Sequence, residues 1–167
     1  MFEVKTRDGL ARIGRLATRH GVLETPTLLP VVNPRRMTLS AAEIRDCGAT
    51  GLITNSYIIS RHEEVRERAL AEGVHALLEW DGPLMTDSGT FQSHVYGDVE
   101  IEPEAIVEFQ RDIGSDIGTV LDVFTEPEFD AERAESELAE TQTRIEAAVP
   151  LKGEMLLAAT VQGGIHP

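Results

Sequence analysis

The segment Met85-Thr86-Asp87-Ser88-Gly89-Thr90-Phe91-Gln92 sets a carboxylate at the end of a short apolar run, followed by a glycine that permits close backbone approach. An aspartate so placed can act as nucleophile or as acid/base, depending on how burial and neighbours set its proton affinity. A plain loop cap after a strand is the competing reading. Asp122 closes Thr119-Val120-Leu121 and supplies a second carboxylate at what reads as a neighbouring strand end. Two carboxylates flanking one pocket suit glycosyl chemistry with an oxocarbenium-like transition state. They also suit purine recognition, since one carboxylate accepts both the ring N–H and the exocyclic amine of guanine. Either carboxylate could instead be a solvated group or a helix cap. Gln162 offers an amide to a purine carbonyl, and Gly163 and Gly164 would let backbone N–H groups approach a ligand, although most Gly-Gly pairs are turns. Phe91 has a flat face for a base or sugar, or else fills core. Asn55, in Asn55-Ser56-Tyr57, can orient a carboxylate or a ribose hydroxyl, or belong to a polar turn that opens a helix.

Other chemistries find less support. His20, His62, His75, His94 and His166 are scattered, and neither they nor the single cysteine, Cys47, show zinc-ligand spacing, so no metal site is expected. Phosphate cradles of the G-x-x-x-x-G-K-[ST] or G-x-G-x-x-G type do not occur. Arg35-Arg36, after Asn33-Pro34, could meet phosphate but reads by default as a surface pair. With 15 Lys+Arg against 29 Asp+Glu, the formal net charge of −14 argues at first sight against nucleic-acid binding.

The elements that must hold these residues follow from the hydrophobic pattern. Turn signals at Asp8-Gly9 and His20-Gly21 separate Phe2 to Lys5, Ala11 to Leu16 and Val22-Leu23, which predicts an antiparallel sheet over residues 1–27. From residue 28 the pattern becomes β then α. Buried-type strands are expected near 28–32, 51–55, 83–87, 117–122 and 155–162. Ser40-Ala41-Ala42-Glu43 and Ser60-Arg61-His62-Glu63 both fit a capping box, Pro103 suits a first helical position, and Asp130 can cap a long helix. Alternation of this kind implies an α/β fold with parallel strands, either an open sheet or part of a barrel, and places ligands at the strands' C-terminal ends. The longest apolar stretches, Leu28 to Val32 and Met155 to Val161, fall far short of the ~20 residues of a membrane span. The amino terminus lacks a secretory pattern, and one cysteine allows no internal disulfide, so a cytoplasmic protein is expected.

Five ordered segments resemble the archaeal tRNA-guanine transglycosylases: Pro30-Val31-Val32-Asn33-Pro34, Thr54 to Ile59, Asp87 to Gln92, Asp112 to Thr119, and Val161-Gln162-Gly163. The resemblance implies a (β/α)8 TIM barrel capped by a small antiparallel sheet, of which this chain holds that sheet (1–27) and the N-terminal part of the catalytic domain (28–167), about five strands and four helices. It implies exchange of guanine at position 15 of the tRNA D-loop for 7-cyano-7-deazaguanine (preQ0), toward archaeosine, through a covalent aspartyl-ribosyl intermediate. By the same resemblance Asp87 is the catalytic aspartate, as nucleophile or as acid/base beside a nucleophile from a later strand. Asp122 and Gln162 read the purine, Phe91 stacks on it, and Ser88, Gly163 and Asn55 bind substrate. Thr90 and Gly164 depart slightly from the family pattern. The later strands, a three-Cys-plus-His zinc site and the carboxy-terminal RNA-binding module have no counterpart before Pro167, so the chain reads as a fragment, inactive alone, of an enzyme that is a homodimer when complete. A non-catalytic partner subunit or degenerate paralogue is the alternative. The acidic surface is read as halophilic adaptation, since in 1 M salt a Debye length of ~3 Å screens repulsion from tRNA.

Overall fold

Two separate sheets organise the computed structural model, which describes residues 1–92, 102–162 and 165. The first is an antiparallel meander of β1 (Phe2–Asp8), β2 (Ala11–Thr18) and β3 (Gly21–Thr25), turned at the Asp8-Gly9 and His20-Gly21 signals. Gly9 at φ 57° and Gly21 at φ 127° adopt backbone that other residues enter only with strain.

The second sheet contains β4 (Val31–Val32), β5 (Leu52–Asn55), β6 (Leu84–Asp87), β7 (Ile117–Thr119) and β8 (Leu156–Ala158), all parallel and adjacent in chain order. An open doubly wound sheet reverses its strand order, and this one does not. Right-handed crossovers in unbroken order carry the connecting helices to one face. The core shows it: Val32, Leu52 and Leu84 pack with Ile44, Ile59, Val74 and Ile113 from the connections. A second cluster joins Met155 to Ile106, Val107, Val120 and Ala148. Side chains alternate across a strand, so the register row Val31, Ile53, Met85, Ile117 and Leu156 faces the other way. Val31, at the sheet edge, is 80% exposed. The arrangement is α/β and consistent with part of a barrel.

Side-chain caps open three of the described helices, with one correction to the sequence reading. The Ser40 box opens α1 (Ala41–Asp46), with both of its reciprocal bonds formed. Ser60 opens nothing. Asn55 caps α2 (Ser56–Arg61) directly at the end of β5, so Ser60 falls inside that helix and its hydroxyl donates to the Tyr57 carbonyl. The next helices, α3 (Glu63–Glu72) and α4 (Val74–Leu77), begin without side-chain caps. Pro103 does start α5 (Pro103–Asp112), and Asp130 caps α6 (Ala131–Ala148) by accepting from the Arg133 N–H. The strands are shorter than their apolar runs, because hydrophobicity marks burial whereas pairing stops where the neighbouring chain diverges. Val120 and Leu121, for example, are buried but lie beyond β7.

Candidate functional site

Register alignment brings the first residues of the site together. Asn55 and Asp87 are Cα partners at the C-terminal ends of β5 and β6. The Asn55 amide does two tasks at once: its Oδ1 accepts from the Ile58 N–H to cap α2, and its Nδ2 donates to Asp87 Oδ2 at 2.9 Å and to Gln92 Oε1 at 3.0 Å. The helix cap therefore fixes which way the amide faces the carboxylate. Ser56 adds a bond from its hydroxyl to the Asp87 carbonyl at 2.7 Å.

The loop after β6 is anchored from below and beside. The Ser88 N–H donates to Thr119 Oγ1 at 2.7 Å and its hydroxyl to the Val120 carbonyl at 3.0 Å, so this buried serine ties the loop after β6 to the loop after β7. Gly89 holds φ 93°, and a Cβ there would stand 2.4 Å from the Tyr57 Cβ. Behind the loops, Gln110 of α5 is wholly buried. It accepts from the Thr86 hydroxyl at 2.8 Å and the Thr119 N–H at 3.0 Å, and it donates to the Thr119 carbonyl at 2.8 Å. A fully satisfied buried amide of this kind stiffens what it joins.

Asp122 lies three residues past β7, and α6 grips the backbone on both sides of it. The Val123 N–H donates to the buried Thr141 hydroxyl at 3.0 Å, and Arg144 Nη1 donates to the Leu121 carbonyl at 3.1 Å. Gln162 closes the far side, its Nε2 donating to Asp122 Oδ2 at 3.0 Å and to the Val123 carbonyl. That leaves Gln162 Oε1 buried and without a hydrogen-bond partner. Beside them, Thr90, Asp122, Phe124, Arg133, Glu137 and Arg144 line an open pocket of about 270 Å³. Phe91 is 58% exposed and meets Phe124 edge-on at 6.3 Å between ring centroids. Gly163 and Gly164 lie outside the described residues, as do His94 and His166.

Burial pushes the Asp87 carboxyl above the usual carboxylate range, and the nearby Asp122 charge pushes the same way, against hydrogen bonds from the Gly89 and Ser88 N–H groups and Asn55. A half-buried carboxyl with raised proton affinity, beside a second carboxylate, is equipped to exchange a proton with a ligand or to form a bond to one. Asp87, Asn55, Ser88 and Gln92 thus form one cluster and Asp122 with Gln162 an adjoining one. Phe91 and Phe124 stand near their mouth.

Three groups escaped the sequence reading. Thr141 and Arg144 sit on a helix whose spacing advertises only amphipathicity, and nothing in the sequence marks them as grips on the Asp122 loop. Phe124 was readable only as one more apolar residue after Asp122. Two of the histidines, moreover, are not scattered: His20 and His75 converge on Asp116, with ligand atoms all within 4.8 Å of one another. Spacing rules for metal ligands see only local sequence, and these residues meet through the tertiary fold.

Comparison with known proteins gives the family. Residues 7–167 match the family model described as queuine tRNA-ribosyltransferase. The tRNA-guanine(15) transglycosylase of Thermoplasma acidophilum is 52% identical over 99% of this chain and 26% of its own length. That of Methanosarcina acetivorans is 52% identical over 100% of this chain and 34% of its own length. For Methanopyrus kandleri the figures are 53%, 99% and 36%. The chain therefore spans about a quarter to a third of the length of the curated relatives it matches.

Proposed function

This chain belongs to the queuine tRNA-ribosyltransferase family, and from that premise we propose that it supplies part of the catalytic centre of a tRNA-guanine(15) transglycosylase. The observation that carries the reading is the placement of Asp87: a half-buried carboxyl of raised proton affinity at a parallel strand's C-terminal end, adjoining the Asp122–Gln162 pair. The five-stranded sheet is the first part of a (β/α)8 barrel, residues 1–27 form the antiparallel cap, and residues 28–167 belong to the catalytic domain.

In the reaction, the bond between ribose C1′ and guanine breaks as an ester between C1′ and an aspartate carboxylate forms. The incoming 7-cyano-7-deazaguanine then attacks C1′ and releases the carboxylate, which retains stereochemistry by double displacement. Asp87 is the catalytic residue here, and its raised proton affinity favours the acid/base part, protonating the departing guanine and accepting the proton of the incoming base, while an aspartate from a later strand of the barrel forms the ester. Asp122 accepts from the ring N–H and exocyclic amine of the purine, while Gln162 donates to its carbonyl. Gln162 Nε2 and Asp122 Oδ2 stand 3.0 Å apart, so a purine bound by both exchanges their mutual hydrogen bond for its own. Phe91 stacks on the base, and Asn55, Ser88 and Gly163 hold the surrounding backbone and sugar. The three-Cys-plus-His zinc set implied for complete family members finds no fit in this chain, whose one cysteine is the exposed Cys47, and no step passes through it. The partners are tRNA, guanine and preQ0, and the complete enzyme works as a homodimer in the cytoplasm of a halophilic archaeon.

The test is guanine exchange into tRNA by this chain combined with the remaining barrel strands. Asp87→Asn should abolish exchange and Asp122→Ala should weaken it. Unchanged exchange in both variants would end the assignment.

A further inference from the structure

His20, His75 and Asp116 meet at the opposite end of the parallel sheet from Asp87. Asp116 stands just before β7, and its fully buried carboxylate accepts from the N–H of Leu84, which opens β6, at 3.0 Å. Asp87 closes that strand three residues on, a rise of about 10 Å. The same carboxylate accepts from the Arg19 and His20 N–H groups of the β2–β3 turn, at 3.1 and 3.2 Å. Asp116 therefore joins the antiparallel sheet to the parallel one, and catalysis makes no use of it.

The feature that needs explaining is His75. Its Nδ1 lies 3.0 Å from the Trp80 carbonyl, which can only accept, so Nδ1 carries hydrogen. In the neutral ring Nε2 then bears a lone pair. That atom is buried, has no hydrogen-bond partner, and points at Asp116 Oδ2 from 3.4 Å. Two buried acceptors facing each other repel unless something positive lies between them. With zinc-type bonds of about 2.0–2.1 Å, two ligands of a tetrahedral site stand roughly 3.4 Å apart. The observed gap has that width.

We propose that His75 Nε2, Asp116 Oδ2 and His20 form a structural site for a divalent transition-metal ion of zinc type, distinct from the catalytic centre. His20 is the third ligand. Its ring stacks on His75 at 3.7 Å, and its Nδ1 bonds Asp116 Oδ1 at 2.9 Å. The His20 side chain is about one-third exposed, so it can exchange that bond for one to the ion. Both ligands are already held in place, because the Trp80 carbonyl fixes the His75 tautomer and the Arg19, His20 and Leu84 N–H groups hold the Asp116 carboxylate. An open pocket lined by His20, Arg45, His75, Glu79, Trp80 and Asp81 leads to solvent and admits a water as fourth ligand. Arg45 on that rim is paired with Asp81, which neutralises its charge. Bound there, the ion would clip the β2–β3 turn onto the starts of β6 and β7.

Titration of the metal-stripped chain with Co²⁺ and Zn²⁺, in a Cys47→Ser background and in salt high enough to suppress binding to the acidic surface, tests this. One equivalent of Co²⁺ should give the visible absorption of a tetrahedral nitrogen-oxygen site and be displaced by Zn²⁺. His75→Gln and His20→Asn should each weaken binding at least about tenfold. His20→Asn keeps the reading falsifiable, because this partly exposed turn residue can change without disturbing the core, and far-ultraviolet circular dichroism checks that it has not. Absence of stoichiometric binding would overturn the proposal and leave a proton on His75 Nε2 as the positive group. Binding undiminished in both variants would overturn it equally.

Discussion

Replacing Gly89 by alanine tests the most exacting contact beside Asp87. At φ 93° an alanine meets backbone strain of about 1–3 kcal/mol. Its Cβ would also lie 2.4 Å from the Tyr57 Cβ, where ordinary contact begins at 3.4 Å, so the difference of 1.0 Å must be opened in packed structure. Overpacking of that kind costs a further 1–3 kcal/mol or so. Gly114 isolates the two effects, since its φ of 80° is similar but an added Cβ finds nothing within 4 Å. Gly114→Ala should therefore show the strain alone and Gly89→Ala both. With a urea slope of about 1–3 kcal/mol per molar, the extra term should lower the Gly89→Ala midpoint by roughly 1 M relative to Gly114→Ala. The Gly89 N–H also bonds the Asp87 carboxylate, so a shift near 1 Å should cost base exchange on the order of 100-fold in the completed enzyme. Equal midpoints for the two variants would refute the steric reasoning, and full exchange by Gly89→Ala would refute the claim that this turn positions Asp87.

Further outcomes follow from the same geometry. The folded Asp87 carboxyl binds its proton more tightly than its ordinary value of 3.8 allows, so its stabilising contribution is complete below that value and is lost as pH rises through the raised one. Wild type should accordingly fall in stability relative to Asp87→Asn between pH 3 and neutrality, by about the margin that urea midpoints across pH resolve, and a pH-independent difference would contradict the sign. Thr141→Val removes the acceptor of the part-buried Val123 N–H and should cost about 1 kcal/mol in urea unfolding, with Thr141→Ser largely restoring it. A formal charge of −14 predicts a melting temperature that climbs as salt screens self-repulsion, and a salt-independent melt would count against the halophilic reading.

What was legible in the sequence was local. Ser40 with Glu43, Pro103 and Asp130 announced their helices because each cap is made within one turn of chain. Ser60 misled because Asn55 had already capped a helix five residues earlier, and a capping pattern carries no information about which of two nearby caps the chain uses. Asp87 and Asp122 stood out as carboxylates following apolar runs, and the structure brings their clusters side by side. Their supports were not legible. Gln110 reads as one polar residue of an amphipathic helix, yet it is buried and bridges β6 and β7. Asp116 reads as a polar break before a strand, yet it binds a turn 96 residues away. Such contacts depend on which face of which element is buried, and that is decided only when the sheets are assembled.

The division of labour between the two carboxylates is the central claim, and steady-state base exchange by the completed enzyme tests it most directly. Asp87→Asn should lower kcat at least about a thousandfold with little change in KM for guanine. Asp122→Ala should raise that KM by roughly 10- to 100-fold, the worth of a charge-assisted hydrogen bond, while kcat stays within tenfold. Asp87→Asn with near-normal kcat, or Asp122→Ala with unaltered KM, would contradict the account.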